Sequence, residues 1–391
     1  MVFKVLKLNQ ISVKGLERLP RDGYEIASEF SHPDAILLRS HKLQPDEIHE
    51  SVVAIARAGA GVNNIPVAEC THRGIPVFNS PGANANAVKE LVAAGLLLGS
   101  RGVIDGIQYV QTLGDMDDEA ELNKTLEAQK KRFKGSELTG KTLGVVGLGA
   151  IGSMVADMAL TFGMNVVGYD PALSVDAAWR LSSKVRKASA LSSLFARCDF
   201  ISLHLPVLDS TRGLINAELL NNIAPGTCLL NFARQEIVDA DSVLDALNNG
   251  NLRKYITDFP SPALIKRDDV ILMPHIGAST EEAEDNCAIM VADQLQDFLE
   301  HGSIRNSVNF PAVQLEPVEG YRLAITNENV PKILGSILSI LADENINVVD
   351  MLNKSRDEIA YSLIDLANEP SADLLEHMRG LEGVINVRLI A

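Results

Sequence analysis

A glycine-rich turn with an acid downstream is the stretch whose residue types and spacing point most directly to chemistry. The turn spans Gly147 to Gly152 and lies between two apolar runs, the second of which ends at Asp170. Gly147 permits a tight turn, Gly149 lets a pyrophosphate approach the backbone, and Gly152 lets the following helix pack close to the strand. The free N–H groups of that helix attract phosphate. An acid at position 170 accepts hydrogen bonds from an adenosine ribose, so the motif predicts binding of NAD rather than NADP.

Four polar residues further along the chain stand where apolar segments end. His204, Arg234, Asp258 and His275 each fall at or just past the end of a strand candidate. Alternating strand and helix patterns in this part of the chain predict a parallel sheet with helices on both faces. Ligands of such sheets bind beyond the carboxyl ends of the strands. These four side chains are therefore candidates for binding and catalysis.

The elements that must position these residues divide the chain into three parts. Residues 1–98 have the pattern of a small α/β unit without a nucleotide motif, and a Rossmann-type, doubly wound sheet is predicted for 99–284. A long helix after the last strand returns to the first domain. That flavodoxin-like domain is therefore predicted to be discontinuous, with 285–310 as its second segment. After a proline-containing linker at 311–320, residues 321–391 follow the order βαββαβ of a ferredoxin-like module. The fold class is α/β.

Composition argues against several classes of protein. Apolar residues make up 46% of the chain, which is ordinary for a soluble globular protein, and no apolar run approaches a membrane span. The segment MVFKVLKLNQ lacks the order of a signal peptide. A net charge of −16 without a basic tract argues against a nucleic-acid partner. The four cysteines are widely spaced, so we expect no metal site, no disulfide framework and a cytoplasmic location.

Two loops of the first domain are rich in glycine and asparagine. They run from Arg57 to Asn64 and from Asn79 to Asn84, each after a strand candidate. Loops of this kind expose backbone N–H groups that suit a carboxylate or a phosphate. The alternative is ordinary turn chemistry.

The order of these motifs resembles that of the D-2-hydroxyacid dehydrogenases over nearly the whole chain, and within that family the members that oxidise 3-phosphoglycerate. The matching segments are Leu38-Arg39-Ser40, Arg57 to Ile65, Asn79 to Asn84 with Glu90-Leu91, Gly140 to Gly152, His204 to Pro206, Asn231 to Arg234 with Val238-Asp239, and Pro274 to Thr280. The C-terminal module is similar to the ACT domains of that family, at Asn329 to Pro331, Ile346-Asn347 and Tyr361.

The resemblance implies NAD-dependent oxidation of 3-phospho-D-glycerate to 3-phosphohydroxypyruvate, the first step of L-serine biosynthesis. It implies that His275 is the general acid/base at the C2 hydroxyl and that Arg234 binds the carboxylate and polarises the carbonyl oxygen. The substrate residues that it implies are Arg39, Ser40, Arg57, Gly61, Val62 and Asn84. The cofactor residues that it implies are Ala60, Gly147, Gly149, Ala150, Ile151, Gly152, Asp170, His204, Leu205, Pro206, Phe232, Ala233, Arg234, Asp258, His275, Gly277 and Ala278.

The sequence departs from the family at the glutamate that usually orients the catalytic histidine. After Asp258 the chain continues Phe-Pro-Ser-Pro-Ala-Leu-Ile, and no glutamate follows before Glu281. A histidine without such a partner loses orientation and stabilisation of its cation. Either His275 acts without a carboxylate, or Asp258, Asp268 or Asp269 takes the place of the glutamate.

The ACT-like module implies control by an amino acid, with serine as the expected effector. Asn327, Asn329 and Asn347 match the family's effector positions, and amide side chains both donate to a carboxylate and accept from an ammonium group. Lys332 stands after Pro331, where the family usually has glycine. The alternative is a purely structural dimerisation module.

Two further functions remain open. One is a related dehydrogenase that acts on hydroxypyruvate, glyoxylate or lactate. The other is a weakly active, NAD-binding regulator that senses an amino acid. The resemblance implies a homodimer or homotetramer and does not choose between them.

Overall fold

The computed structural model describes residues 2–316 and 320–390, with the side chain of Asp176 excepted. The predicted linker at 311–320 and the two chain ends therefore lie partly outside the described residues. Contacts divide the chain into two compact units, one formed by the stretches up to Asn84 and from Thr280 onward, the other by Ala85–Ser279. None of the described helices combines the length and the apolar character needed to cross a membrane.

The elements follow one another with frequent alternation of strand and helix. The strands are β1 Phe3–Leu8, β2 Tyr24–Ala27, β3 Ala35–Leu38, β4 Ala54–Arg57, β5 Val77–Phe78, β6 Thr142–Val146, β7 Asn165–Tyr169, β8 Arg186–Lys187, β9 Phe200–Leu203, β10 Thr227–Asn231, β11 Leu252–Thr257, β12 Val270–Leu272, β13 Tyr321–Glu328, β14 Val348–Arg356, β15 Ile359–Leu366 and β16 Val384–Ile390. The α-helices are α1 Val13–Leu16, α2 Val67–His72, α3 Ala85–Ser100, α4 Val103–Gln111, α5 Glu119–Gln129, α6 Ala150–Thr161, α7 Val175–Arg180, α8 Leu191–Phe195, α9 Ala217–Asn221, α10 Ala240–Asn248, α11 Glu281–His301, α12 Ile333–Asp343 and α13 Ala372–Arg379.

The first unit contains a five-stranded parallel sheet in the order β2-β1-β3-β4-β5. This is the flavodoxin-like order, so the predicted class of this domain is confirmed. Helix α11 packs on α1, β4 and β5. The Thr280 hydroxyl caps its first turn by accepting from the Ala283 N–H at 3.1 Å, and Gly302 ends it with a positive φ of 71°.

The second unit contains a seven-stranded parallel sheet in the order β12-β11-β10-β9-β6-β7-β8. The central reversal between β6 and β9 is the doubly wound arrangement that the sequence predicts. Helix α3 belongs to this unit because it packs on α6, β10 and β11. Its Gly95 leaves room for Phe232, since a Cβ at that glycine would lie 3.1 Å from the ring. The first domain therefore ends at Asn84 rather than at residue 98, and it resumes at Thr280 rather than at 285.

The C-terminal module is an antiparallel four-stranded sheet in the order β14-β15-β13-β16, which confirms the predicted βαββαβ arrangement. Helices α12 and α13 cover one face of this sheet. Residues of the other face share a core with the first sheet and α11, as Tyr361 shows by donating to the Gly302 carbonyl at 2.7 Å. Arg322 holds the buried Asp365 through two bonds of 2.6 and 2.8 Å. The module is thus anchored by buried contacts within the first unit.

Candidate functional site

The glycine turn leaves open space where a phosphate must approach the backbone. Gly147 has a φ of 90°, and a Cβ there would collide with the His204 carbonyl group. A Cβ at Gly152 would collide with the Gly147 carbonyl oxygen, so α6 packs tightly on the turn. At Gly149, apart from its two chain neighbours, no heavy atom of the described residues lies within 4 Å of the position that a Cβ would take. The three glycines thus have the backbone conformation, the open space and the close packing that their predicted roles require.

Asp170 is fixed beside this turn at the end of β7. One carboxylate oxygen accepts the Leu148 N–H at 2.9 Å, and the other accepts the Ala172 N–H at 2.9 Å. A carboxylate oxygen offers two lone pairs. Each oxygen can therefore accept a further hydrogen bond from a ribose hydroxyl while the backbone holds the side chain in place.

His204 follows β9 as a neutral imidazole. Burial lowers its pKa to about 3, and its Nε2 lies 2.8 Å from the Ser202 hydroxyl in a hydrogen bond. Nδ1 is buried and has no partner among the described residues. Buried polar atoms are normally paired, so His204 has an unsatisfied nitrogen next to the glycine turn.

Arg234 is presented by a loop that Asn231 shapes. The Asn231 amide donates to the Arg234 carbonyl at 2.9 Å, and its oxygen accepts the Ala233 N–H at 3.1 Å. The intervening Phe232 is buried, whereas Arg234 is only partly so. Its Nη1 donates to the Ala233 carbonyl at 2.6 Å. Sequence reasoning did not assign a role to Asn231, although a fully buried polar residue at the end of an apolar strand is the signal that marks it.

His275 is exposed and is carried by a loop that Asp258 clamps. Asp258 is 2% exposed, and its two oxygens accept the N–H groups of Ile276 and Gly277 at 2.8 and 2.7 Å. His275 itself has a positive φ of 58°, which is uncommon for a residue with a side chain. Asp258 follows β11 and His275 follows β12, so two adjacent strands of the sheet position the imidazole.

Among the described residues of 85–279, no aspartate is hydrogen-bonded to the His275 imidazole. Among the side chains described within 85–279, none offers a carboxylate in hydrogen-bond contact with the imidazole. Both oxygens of Asp258 are held by backbone N–H groups. Asp268 and Asp269 precede β12, whereas His275 follows its other end. Asp269 is bound by Arg267 at 2.9 and 2.8 Å, and this contact lowers the pKa of its carboxyl group.

An aromatic ring lies against His275 instead. The Phe259 ring centroid is 5.1 Å from that of the imidazole, at an interplanar angle of 59°. None of Asp258, Asp268 and Asp269 is hydrogen-bonded to the His275 side chain in this structure, and the expectation that one of them takes the place of the glutamate stays a prediction. Asp258 acts on the backbone of the loop. In the described part of the chain, no group of three or more His, Cys, Asp or Glu side chains is arranged to hold a metal ion.

The first unit brings Arg39 and Arg57 together at the ends of neighbouring strands. Leu38 and Arg57 are register partners of β3 and β4, and the Arg57 Nε donates to the Arg39 carbonyl at 3.1 Å. The Asn64 amide donates to the same carbonyl at 3.1 Å. The Arg57 guanidinium lies over Gly59, where a Cβ would collide with it.

The remaining predicted residues of this unit lie on the loops that follow β3, β4 and β5. Those loops carry Ser40, Ala60, Gly61, Val62 and Asn84. Sequence reasoning missed Glu284 on α11, which forms an ion pair with Arg39 at 2.7 Å. The two residues of that pair are far apart in the chain, and no local sequence motif predicts their contact.

The three asparagines predicted for an effector are largely engaged within the C-terminal module. The Asn327 amide donates to the Glu328 carbonyl at 2.7 Å, and the Asn329 amide donates to the Asp357 carbonyl at 3.0 Å. Asn347 precedes β14 and accepts the Ala367 N–H with its backbone oxygen at 3.0 Å. Lys332 begins α12 with a φ of 81°, a conformation that favours glycine.

Taken together, the doubly wound sheet, the open glycine turn, the fixed acid of Asp170 and the polar strand ends define a dinucleotide-dependent oxidoreductase. The model of the family described as "D-isomer specific 2-hydroxyacid dehydrogenase, NAD binding domain" matches residues 107–277. The chain belongs to the D-2-hydroxyacid dehydrogenase family, and NAD is the cofactor of its second unit.

Individual relatives carry a more specific name. The chain is 33% identical to a D-3-phosphoglycerate dehydrogenase of Haemophilus influenzae, over 94% of this chain and 89% of the relative. It is 32% identical to one of Escherichia coli K12, over 99% of this chain and 97% of the relative. Among solved structures, it is similar to the NAD⁺-bound 3-phosphoglycerate dehydrogenase of Entamoeba histolytica. The TM-score is 0.62 and the identity 28%, covering 79% of this chain and 99% of that one.

Proposed function

We propose that the chain oxidises 3-phospho-D-glycerate to 3-phosphohydroxypyruvate with NAD, the first step of L-serine biosynthesis. The observation that carries the proposal is that Arg39 and Arg57 meet at the ends of β3 and β4, where the Arg57 Nε donates to the backbone carbonyl of Arg39 at 3.1 Å. Two adjacent cations suit a phosphate better than they suit the small apolar end of lactate. The similarity to enzymes of this activity over nearly the whole chain supports the same substrate.

Each reacting group of the substrate has a candidate partner. Arg39 and Arg57 bind the phosphate, with Ser40 and Asn84 as further donors, and the loop at Gly61 and Val62 takes the carboxylate through its N–H groups. Arg234 grips the carboxylate and polarises the C2 oxygen as it becomes a carbonyl. His275 takes the proton of the C2 hydroxyl. NAD, when bound, accepts the hydride of C2.

The residues that hold the cofactor come from the turn and the strand ends of the second unit. Gly147, Gly149, Ala150, Ile151 and Gly152 would hold the pyrophosphate, and Asp170 would accept hydrogen bonds from the adenosine ribose. The nicotinamide end is assigned to the segments His204 to Pro206, Phe232 to Arg234 and Gly277-Ala278, together with Asp258, and Ala60 is a further contact.

Two competing functions make different predictions. A dehydrogenase for hydroxypyruvate, glyoxylate or lactate has no use for a second cation in the substrate site. A weakly active regulator is favoured by one observation: among the side chains described within 85–279, none offers His275 a carboxylate partner. Steady-state rates of NADH formation with 3-phosphoglycerate, D-glycerate and D-lactate separate these cases. We expect turnover of the phosphorylated substrate in clear excess over the other two, and NAD binding without turnover of any of them would favour the regulator.

The role of Arg234 is tested by replacing it with alanine. We expect kcat to fall by about a thousandfold or more, because a charged group that binds the developing oxyanion is lost, while NAD binding survives. Arg253→Ala is a matched control, since this exposed arginine lies on the same sheet near the start of β11 and donates to the Gly226 carbonyl. A loss of NAD affinity as large as the loss of kcat would show that Arg234 acts through the cofactor rather than on the substrate.

The C-terminal module, assembly and location complete the proposal. We infer that the module is an ACT domain that binds serine near Asn327, Asn329 and Asn347, and that the chain forms a homodimer or homotetramer in the cytoplasm. The order of its sheet and helices supports this assignment. Calorimetric titration with L-serine, with L-alanine as the control, tests the effector. Light scattering tests the oligomer.

A further inference from the structure

One of the two arginines that the proposed function assigns to the phosphate already has an anionic partner. Arg39 Nη2 lies 2.7 Å from Glu284 Oε1, and the two side chains are 36% and 43% exposed. Glu284 lies in the first turn of α11. The Glu284 carboxylate therefore already accepts a hydrogen bond from the Arg39 guanidinium. The proposed function assigns that same guanidinium to the phosphate of the substrate.

The surroundings show that this pair is part of the cation site rather than an isolated surface contact. Arg57 donates to the backbone of Arg39. Cys287, one turn after Glu284 on α11, is buried, and burial raises the pKa of its thiol. Arg39, Arg57 and Glu284 all act on that thiol through their charges. Glu284 therefore lies one turn from a buried thiol on α11 and holds Arg39 in an ion pair.

We propose that Glu284 competes with the substrate's phosphate for Arg39 and so determines how strongly the site selects phosphorylated 2-hydroxyacids. This inference rests on the proposed function, because it concerns the same site. A phosphate that binds Arg39 must displace the carboxylate or accept a like charge within a few ångströms of it. The interaction of like charges at that range in a half-exposed site corresponds to roughly tenfold in affinity. Glutamine at this position keeps the size and one acceptor oxygen but removes the charge.

The experiment compares Glu284→Gln with the wild-type chain in two assays. Calorimetric titration with inorganic phosphate measures the anion site without requiring turnover, and steady-state kinetics measure KM and kcat for 3-phosphoglycerate. We expect the Kd for phosphate and the KM for 3-phosphoglycerate to fall roughly tenfold. We expect kcat and the KM for NAD to stay within about twofold, because the proposed function assigns Glu284 no contact with the C2 group or the cofactor.

Two controls separate this effect from a general change of charge. Glu282→Gln removes the same charge from the same turn of α11 at an exposed position, and we expect it to leave both constants unchanged. In an Arg39→Gln background, Glu284→Gln is expected to have a smaller effect, because the contested cation is absent and only the repulsion between the carboxylate and the phosphate remains. An equal gain of affinity in Glu282→Gln would contradict the inference.

The outcomes distinguish the inference from the function on which it rests. Unchanged or weaker phosphate binding in Glu284→Gln overturns the inference, and the proposed function stands if the wild-type chain turns over 3-phosphoglycerate. Tenfold tighter phosphate binding without turnover in either protein supports the role of Glu284 and overturns the proposed function.

Discussion

Replacing Asp258 with asparagine is expected to destabilise the chain and to slow catalysis. Its buried carboxylate accepts the N–H groups of Ile276 and Gly277 at 2.8 and 2.7 Å. Asparagine keeps one acceptor oxygen but turns its amide hydrogens toward the other N–H. Losing one charge-assisted hydrogen bond costs about 1.5–3 kcal/mol, and the buried N–H left unpaired costs about 1–3 kcal/mol. Because removing a buried charge recovers part of its desolvation cost, we expect a net loss of about 2–3 kcal/mol in the free energy of unfolding.

The catalytic effect follows from the position of His275, which directly precedes the two clamped N–H groups. A displacement of about 1 Å at a reacting group costs about a hundredfold in rate, so we expect kcat with 3-phosphoglycerate to fall by about that factor. Urea unfolding and steady-state NADH formation measure the two effects. Asp269→Asn is the matched control. It removes a carboxylate from the other end of β12, where Arg267 holds it, and it is expected to leave kcat unchanged. If Asp258→Asn had the stability and the kcat of the wild-type chain, Asp258 would not be what holds the loop of His275 in place.

Three further changes test separate parts of the structure. Asp170→Ala should lower the preference for NAD over NADP by roughly 10–100-fold in kcat/KM, because a charged acceptor of ribose hydrogen bonds is lost, and an unchanged ratio would refute that role. Arg322→Met leaves Asp365 buried without its cation and should lower the free energy of unfolding by about 3–5 kcal/mol in urea. A loss below about 1 kcal/mol would show that the pair is dispensable. Lys332→Gly relieves a positive φ of 81° and should raise that free energy by about 1 kcal/mol. Lys332→Ala keeps the strained backbone and should leave the free energy of unfolding unchanged. Equal thermal midpoints for the glycine and alanine variants would contradict this explanation.

The nucleotide turn could be predicted because its determinants are local. The requirements at Gly147, Gly149 and Gly152 are backbone conformation, open space and close packing, and each acts within a few residues of the motif. Asp170 ends the strand that pairs directly with the one before the turn. Strand ends were also predictable, since apolar runs ending in His204, Arg234 and His275 mark the carboxyl edge of a parallel sheet.

The parts that could not be predicted depend on contacts between distant segments. The partner of Arg39 is Glu284, which no spacing rule connects with it. The use of both Asp258 oxygens by the loop after His275 depends on the register of β11 and β12. The domain boundary before Ala85 was missed because of helix α3. Its apolar sequence indicates that the helix is buried but does not indicate which of the two sheets it covers.

The most direct test of the central claim follows the hydrogen from C2 of the substrate. The chain would be incubated with NAD and 3-phospho-D-glycerate deuterated at C2, and the NADH formed would be examined by mass spectrometry. The account predicts one deuterium in NADH and formation of 3-phosphohydroxypyruvate, with no deuterated NADH from D-lactate labelled in the same way. Bound NAD without transfer of deuterium from the phosphorylated substrate would contradict it.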